Sequence, residues 1–545
     1  MTETETEPPE PPLSTSLGSW LASLPLWFYY LLLVILVLVL FGPRLGHGLM
    51  LYDMGELSFF VSALIADKVP GIDFVVGGYG PARYLLLSWL VPLFDGQLLV
   101  QESFFLLVRL AAALALMALS RRLLPAPWSV LPVLCFLIAP GPLHKGLFVL
   151  GSVVLALAVL RFVERPEGDR AGQLGWVVAL VGAGRLDLGA LGLLLVLGLS
   201  ANRRSRSKLL LLLLPSLLLV GLFMSWLAGQ EPAAVGAVFE QALDDALINQ
   251  SVDHPRFPSF LELWTAGRLE AWLLWSPIFI YGGLLLRLLL YAPVLPGPAA
   301  NDRFAARHGR WLVLSLGLLT CNQVRMKPEL GHLLQAGPLL YLAATCLLAD
   351  LGRALPGYSP GLSLASQARR DRRGVLAFCA TLILPLALLF AVLGPHRGDL
   401  YTGSFTIPWE RNVALDSPLG RVFVSAEEYA ELAPLLTWLE EEAPEGPLWV
   451  PTHQPLLYGL SGRDEVTGFS SLAFFAHSSA RQQLLLERLK KRPPAVVVFE
   501  DNSIEGPRLF IKNAAPEVLA WLHEHYREEL RFGPRRVLLP ASAAR

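Results

Sequence analysis

The chain has 545 residues, of which 54% are hydrophobic and 16% are charged, and its formal net charge is −1. Soluble domains carry about 25% charged residues, so this chain is too apolar to be entirely soluble. The near-neutral balance gives no sign of a nucleic-acid partner, and the four cysteines lie in apolar runs that indicate neither a disulfide framework nor a zinc motif.

Apolar runs recur along the first three quarters of the chain. Residues 1–24 are acidic and rich in proline, without the basic region of a signal peptide, and they predict a disordered cytoplasmic tail. Residues 25–42 follow, and at about 1.5 Å per helical residue this run is long enough to span a bilayer. Further spans are predicted near 102–120, 128–141, 147–163, 209–228, 269–291, 310–323, 332–349 and 374–394.

The run 174–200 carries Arg185 and Asp187 near its centre and allows two interpretations. It is either one span with both charges at mid-depth, or a hairpin of two short helices that turns at residues 182–184. The positive-inside rule favours the hairpin, because the basic residues on both sides of the run then lie in the cytoplasm. The sequence therefore predicts about eleven transmembrane helices within residues 25–394 and a cytoplasmic N-terminus.

Two predicted outer loops, 43–101 and 229–268, are long. In the first, LSFFVSALIADKV and ARYLLLSWLVPLF are too short to span and suit helices that lie at the membrane interface. The second is interpreted as a polar loop with three prolines. Its Asp244, Asp245 and His254 are expected to be solvated or to cover a bound substrate.

From residue 395 the long apolar runs give way to short strand-like and amphipathic segments. Residues 395–545 therefore predict a small extracytoplasmic α/β domain. RVFVS, PLWVP and AVVVFE are typical of short buried strands, and 427–443, 478–491 and 516–529 are typical of amphipathic helices. Strands that alternate with helices indicate an α/β domain. The histidines of this domain lack metal-ligand spacing and are interpreted as surface or packing residues: His453, His477, His523 and His525.

The first outer loop places three acids, Asp53, Glu56 and Asp73, just outside the first span. Asp53 and Glu56 are three residues apart and share one face of a helix, where a carboxylate can act as a general base toward a hydroxyl. Tyr79 and Tyr84 are candidates to stack on a sugar or to lie at the interface. The alternative is that the acids only solvate the loop.

The segment 51–84 carries a resemblance to a known family. Tyr52-Asp53, then VPGIDF at 69–74 and GPARY at 80–84, resemble the first outer loop of the GT-C superfamily of glycosyltransferases. The nearest branch holds protein O-mannosyltransferases and lipid A aminoarabinose transferases. Their usual Asp-Glu pair is Asp53-Met54 here, with the next acid at Glu56, and their His-Pro pair is Gly80-Pro81.

The resemblance implies an inverting glycosyltransferase that moves a monosaccharide from a polyprenyl-phosphate donor to an envelope glycan, lipid or protein acceptor. The reaction would take place at the outer face of the inner membrane. Asp53 matches the position of the family's catalytic base. The phosphate leaving group needs cations, and the candidates are Arg83, Arg268, Arg325, Lys327 and His332. Arg83 leads them because it lies in the matched segment.

Other features are less specific. Arg185 and Asp187 are expected to form a structural ion pair at the hairpin turn, and a divalent metal ion is compatible with the chemistry but not indicated. The rival interpretation, a multi-pass transporter or lipid flippase, predicts inverted repeats with broken helices, and the sequence has a single interrupted segment at 182–189. A third interpretation is a non-catalytic scaffold for envelope assembly.

Overall fold

The computed structural model describes most of the chain between residues 25 and 542. The described ranges are 25–49, 51, 53–75, 80–94, 97–124, 128–200, 207–251, 257–265, 269–290, 300–326, 330–354, 407–472, 479–500 and 515–542. The predicted tail at 1–24 and the predicted span at 374–394 lie outside these ranges, as does the predicted domain boundary near residue 395.

Helices account for nearly all regular structure up to residue 354, because a backbone in lipid must satisfy its polar groups internally. In chain order they are α1 (Leu26–Phe41), α2 (Asp53–Ile65), α3 (Ala82–Leu90), α4 (Gln97–Leu123), α5 (Leu131–Ile138), α6 (Gly146–Glu164), α7 (Gly168–Gly184), α8 (Leu186–Ser200), α9 (Leu209–Gln230), α10 (Pro232–Ser251), α11 (Glu262–Thr265), α12 (Leu269–Leu290), α13 (Ala300–Met326), α14 (Leu330–Gln335) and α15 (Gly337–Ala354).

Several of these helices have the length and composition of membrane spans. Within the described residues, five apolar helices are long enough to cross a bilayer, namely α1, α4, α6, α9 and α12, and α5, α8 and α15 are shorter and apolar. The chain is therefore a multi-pass membrane protein. A helix occupies each predicted span up to residue 354, and the total of about eleven stays a prediction.

The structure confirms the hairpin at 174–200. Helix α7 ends at Gly184 and α8 begins at Leu186, so Arg185 is the single residue between them. The helices run antiparallel in close contact, because a Cβ atom on Gly189 would lie 2.3 Å from the Cα atom of Gly182. Small residues allow such backbone approach between membrane helices.

Three helices of the bundle are joined by a buried ion cluster. Arg310 of α13 donates to both oxygens of Asp350 on α15, at 2.7 and 3.2 Å, and Arg287 of α12 donates to the same carboxylate at 3.1 Å. Arg310 is 1% exposed. Sequence analysis placed position 310 at the start of a span, and the structure shows that its charge is paired inside the bundle.

The second long loop differs from its prediction. Residues 232–251 form the twenty-residue helix α10 instead of a polar loop. Pro232 occupies its first position, where a missing N–H costs nothing, so this proline starts a helix and does not interrupt one. Asp244 and Asp245 belong to α10, whereas His254 lies outside the described residues.

The C-terminal domain combines helices with two small sheets. Its elements are α16 (Ile407–Glu410), β1 (Val413–Leu415), β2 (Val422–Val424), α17 (Ala426–Glu441), β3 (Leu448–Trp449), α18 (Leu456–Ser461), α19 (Ser479–Lys491), β4 (Val496–Glu500), α20 (Pro516–His525), β5 (Tyr526–Phe532) and β6 (Arg535–Pro540). β1 and β2 pair antiparallel, and a four-stranded sheet has the order β3-β4-β6-β5. Strands β3 and β4 are parallel, with Leu448 beside Val496, and the other pairs are antiparallel.

The strands predicted near 421–425, 447–451 and 495–500 are confirmed, and one predicted helix is too long. The helix expected over 516–529 ends at His525, and Tyr526 begins β5. The reason is tertiary, since β5 pairs along its length with β6 across a tight turn at Gly533, where φ is 55°. Local periodicity carries no information about that partner strand.

The first outer loop and the C-terminal domain share one hydrophobic core. Leu57, Phe60 and Val61 of α2 are fully buried in it. Helix α18 packs so closely on α2 that a Cβ atom on Gly55 would lie 2.6 Å from the Leu456 nitrogen. Helix α2 was expected at the membrane interface, and this packing shows instead that the domain covers it. Helix α3 keeps an exposed apolar face, as an interfacial helix should.

A second contact between the same two regions is polar. Arg488 of α19 donates to the carbonyl oxygens of Ile72, Asp73 and Thr467. Burial lowers the pKa of Arg488, and the nearby Glu465 and Asp73 act in the opposite direction. Burial also raises the pKa of Glu465, although Thr467 and Gly468 donate hydrogen bonds to it. The loop at 465–468 is therefore held in shape where it meets the outer loop.

Candidate functional site

The two acids singled out in the sequence lie at the start of α2. Asp53 is its first residue and Glu56 follows one turn later, so both stand at the N-terminal end of the helix. The positive end of the helix dipole favours their ionised forms. The Asp53 side chain is 24% exposed and the Glu56 side chain is 11% exposed. Asp53 therefore remains accessible to a reactant, while Glu56 is nearly enclosed.

A histidine that sequence analysis did not consider faces Asp53. The His144 Nε2 atom lies 3.3 Å from an Asp53 oxygen, and the His144 side chain is 3% exposed. Two side chains anchor the backbone just before His144. Arg109 donates to the Gly141 oxygen at 2.9 Å, and Tyr341 donates to the Ala139 oxygen at 3.1 Å. The histidine thus occupies a fixed position at the head of α6.

Three basic side chains, Lys145, Arg83 and His332, lie near enough to His144 to interact with it electrostatically, as Asp53 does with the opposite sign. His332 reaches the group because α14 packs on the loop before His144. A Cβ atom on Gly141 would lie 3.2 Å from the Gln335 nitrogen. Two of the predicted phosphate ligands, Arg83 and His332, therefore lie in the same group as the predicted base. Lys145, which was not among the predicted phosphate ligands, also belongs to this group.

Arg83 is held at the start of α3 and is 4% exposed. Its Nη2 donates to the Tyr84 hydroxyl at 2.7 Å, and its guanidinium lies 4.6 Å from the centre of the same ring. Tyr84 packs edge-on against Phe60 and is 3% exposed. The Tyr84 ring is thus part of the core and does not lie at the interface, and its stacking on a sugar stays a prediction.

The C-terminal domain also reaches the site. His453, in the turn between β3 and α18, has its Nε2 atom 4.0 Å from a Glu56 oxygen. Its side chain is 10% exposed. Sequence analysis interpreted His453 as a surface or packing residue, and the structure places it beside a predicted catalytic acid.

Other predicted residues lie apart from this group or hold structure. The Asp73 carboxylate accepts a hydrogen bond from the Val69 nitrogen at 2.6 Å and closes a turn. Arg325 is exposed at the end of α13, where it donates to Asn322. Arg185 and Asp187 form the expected ion pair, at 2.8 Å. Tyr79, Arg268 and Lys327 lie outside the described residues.

A divalent metal ion was compatible with the sequence. Across the ranges that the structure describes, no group of three or more His, Cys, Asp or Glu side chains is arranged to hold a metal ion.

Comparison with known proteins gives structural matches. No protein-family model matches the chain, and a search of curated proteins finds no match. The crystal structure of ArnT from Cupriavidus metallidurans bound to undecaprenyl phosphate superposes with a TM-score of 0.54 and 14% identity, covering 95% of this chain and 99% of that chain.

A second solved structure is the archaeal oligosaccharyltransferase AglB from Archaeoglobus fulgidus, in complex with an inhibitory peptide and a dolichol-phosphate. It reaches a TM-score of 0.49 and 12% identity over 95% of this chain and 75% of that chain. The match to ArnT shows that the two chains share a fold, which is the fold that the first outer loop predicted.

Proposed function

We propose that this protein is an inverting membrane glycosyltransferase that takes a monosaccharide from a polyprenyl-phosphate donor and passes it to an acceptor hydroxyl. The observation that carries the proposal is the group at the start of α2, where an accessible carboxylate, Asp53, lies beside His144 and among cations. The shared fold with ArnT, whose structure holds undecaprenyl phosphate, supports the donor class.

In the proposed reaction Asp53 takes the proton of the acceptor hydroxyl. The acceptor oxygen then forms a bond to the anomeric carbon from the face opposite the phosphate. The bond between that carbon and the phosphate oxygen breaks, and its electron pair stays on the leaving polyprenyl phosphate. His144 holds the Asp53 carboxylate in one orientation. A general base in such a position supplies about 10²–10⁴-fold in rate.

The cations have a separate role in this scheme. Negative charge grows on the phosphate as it leaves, and fixed positive groups stabilise that charge best in a site that excludes water. Arg83, which is 4% exposed, and the neighbouring Lys145 and His332 are the proposed phosphate ligands. Arg268, Arg325 and Lys327 remain proposals for the same role, and the sugar and the acceptor stay open.

The orientation belongs to the same proposal. A donor at the outer face of the inner membrane requires a cytoplasmic N-terminus and an extracytoplasmic C-terminal domain, as the positive-inside rule predicts. Cysteines introduced at Ser205 and Ser479 test this with an impermeant thiol reagent, since Ser479 is exposed. Labelling of Ser479→Cys alone in intact cells is expected, and equal labelling of both variants would contradict the orientation.

The direct test of function is a transfer assay on purified protein. A panel of radiolabelled polyprenyl-phosphate sugars is incubated with the wild type in lipid extract from envelope membranes, with Asp416→Asn as a matched control. Asp416 is an exposed acid whose side chain is 69% accessible. Transfer of label by both proteins, from at least one donor, is expected. No transfer from any donor would contradict the proposal.

A further inference from the structure

We propose that His453 is a positioning residue that orients Glu56 and, through α2, the reacting carboxylate of Asp53. The C-terminal domain would then complete the site and not merely cover it. The inference rests on the proposed function, and it concerns a residue from the opposite end of the chain.

The first step is the contact itself. The His453 Nε2 atom lies 4.0 Å from the Glu56 oxygen, and the two side chains are 10% and 11% exposed. An interaction between a carboxylate and an imidazole is stronger where water is largely excluded than at an open surface. Glu56 stands one helical turn from Asp53, so a restraint on Glu56 also restrains the start of α2.

The second step is how the domain places His453. The next residue, Gln454, is 2% exposed and is held at both ends of its amide. Its oxygen accepts a hydrogen bond from Arg535 at 2.9 Å, and its nitrogen donates to Glu500. Arg535 also bonds Glu431 at 3.2 Å. The turn that carries His453 is thus fixed to β4, β6 and α17 by one polar network.

The third step is how that turn is placed on α2. The Leu456 nitrogen donates to the Leu51 oxygen at 3.4 Å, just before α2 begins. The close packing of Gly55 against Leu456 fixes the distance between the two helices. His453 therefore has a rigid support within its own domain and a fixed distance to Glu56.

The test compares single and double variants in the transfer assay. His453→Ala is expected to lower kcat about tenfold, because a small displacement of a reacting group has large kinetic effects, with the donor KM within about twofold. His453→Gln should recover part of the loss, since its amide can donate to Glu56. The double variant Glu56→Gln/His453→Ala should be no slower than the slower single variant, because the two residues act as one unit.

The control is His523→Gln, which alters an exposed histidine of the same domain and should leave kcat and the melting temperature unchanged. Wild-type kcat in His453→Ala, or a loss that adds to that of Glu56→Gln, would overturn the inference while the proposed function stands. If His453→Ala melts at a lower temperature, His453→Gln decides: a kcat between those of His453→Ala and the wild type supports the inference, and a kcat no higher than that of His453→Ala overturns it. No transfer by the wild type from any donor would overturn the proposed function and this inference with it.

Discussion

The described residues form two large hydrophobic cores that differ in kind. The core of the bundle is formed by the membrane helices, which also expose large apolar side chains such as Leu194 and Leu217, at 66% and 65%. The outer core joins the first outer loop to the C-terminal domain and buries α2. The helices around the bundle core face lipid, whereas the outer core is stabilised by the removal of apolar surface from water.

The candidate site lies where these cores meet. Asp53 begins α2, which belongs to the outer core, and His144 stands at the head of α6, which belongs to the bundle. Leu143 and Leu147, on either side of His144, also pack against the outer core, so the two cores meet beside the pair. Substitutions in the outer core should therefore lower transfer directly, whereas substitutions deep in the bundle should lower mainly the stability of the protein.

The largest loss of stability is expected from Arg310→Gln in the bundle. Removing one partner of a buried ion pair costs about 3–5 kcal/mol, and Arg287 would retain only part of the contact with Asp350. The melting temperature in detergent should fall by several degrees. Arg122→Gln, which removes a more exposed ion pair with Glu164, is the control and should melt close to the wild type.

Turnover of the folded Arg310→Gln protein should stay close to the wild-type value. Gly309 packs on Leu160 near the far end of α6, about 24 Å along that helix from His144. A loss of turnover as large as the loss in a site variant would show that the bundle core affects transfer as directly as the outer core does.

The next largest loss is expected from Gly468→Ala in the outer core. Gly468 has φ +73°, and a Cβ atom there would lie 2.1 Å from the Asp73 oxygen. Overpacking and left-handed strain together cost about 2–4 kcal/mol, so the outer loop and the domain should separate. Both the melting temperature and transfer should fall.

Gly46→Ala is the matched control for that variant. Gly46 has φ +77°, and a Cβ atom there would meet nothing within 4 Å. It therefore carries the backbone strain without the clash. Equal melting temperatures and equal transfer in the two alanine variants would show that the contact between residues 73 and 468 does not matter.

A smaller effect is expected from Arg488→Gln. The variant removes hydrogen bonds from a charged group to three backbone carbonyls. The free energy that holds the outer loop on the domain should therefore weaken by about 1–3 kcal/mol. Arg492→Gln, directly after the same helix, removes only an exposed pair with Asp464 and should have little effect. Limited proteolysis of the two variants should cut Arg488→Gln faster, and equal rates would argue against the role of Arg488.

Much of the fold could be predicted from the sequence because its causes are local. Long apolar runs can only be helices in lipid, and the basic residues around 174–200 favoured the hairpin that the structure confirms. The pair Asp53 and Glu56 was found because helical spacing alone puts them on one face. Helix α10 could not be predicted in this way, because proline and polar residues are also typical of loops.

The remaining parts of the site depend on contacts between distant segments. His144 and His453 are 91 and 400 residues from Asp53 by number, and neither has a spacing that marks a ligand. The available signal for His144 was its place with Lys145 in GPLHKG, a short polar turn between two apolar runs. For His453 there was none, since its role depends on how one domain packs on α2.

The most direct test of the central claim is the turnover of Asp53 variants in the transfer assay, with folding checked by thermal unfolding in detergent. Asp53→Asn should fold normally, still bind the donor and lose at least ~100-fold in turnover. Asp53→Glu should also be poor, because one more methylene displaces the oxygen from His144. Glu56→Gln should lose less. Near-normal turnover in Asp53→Asn would contradict the assignment of the base.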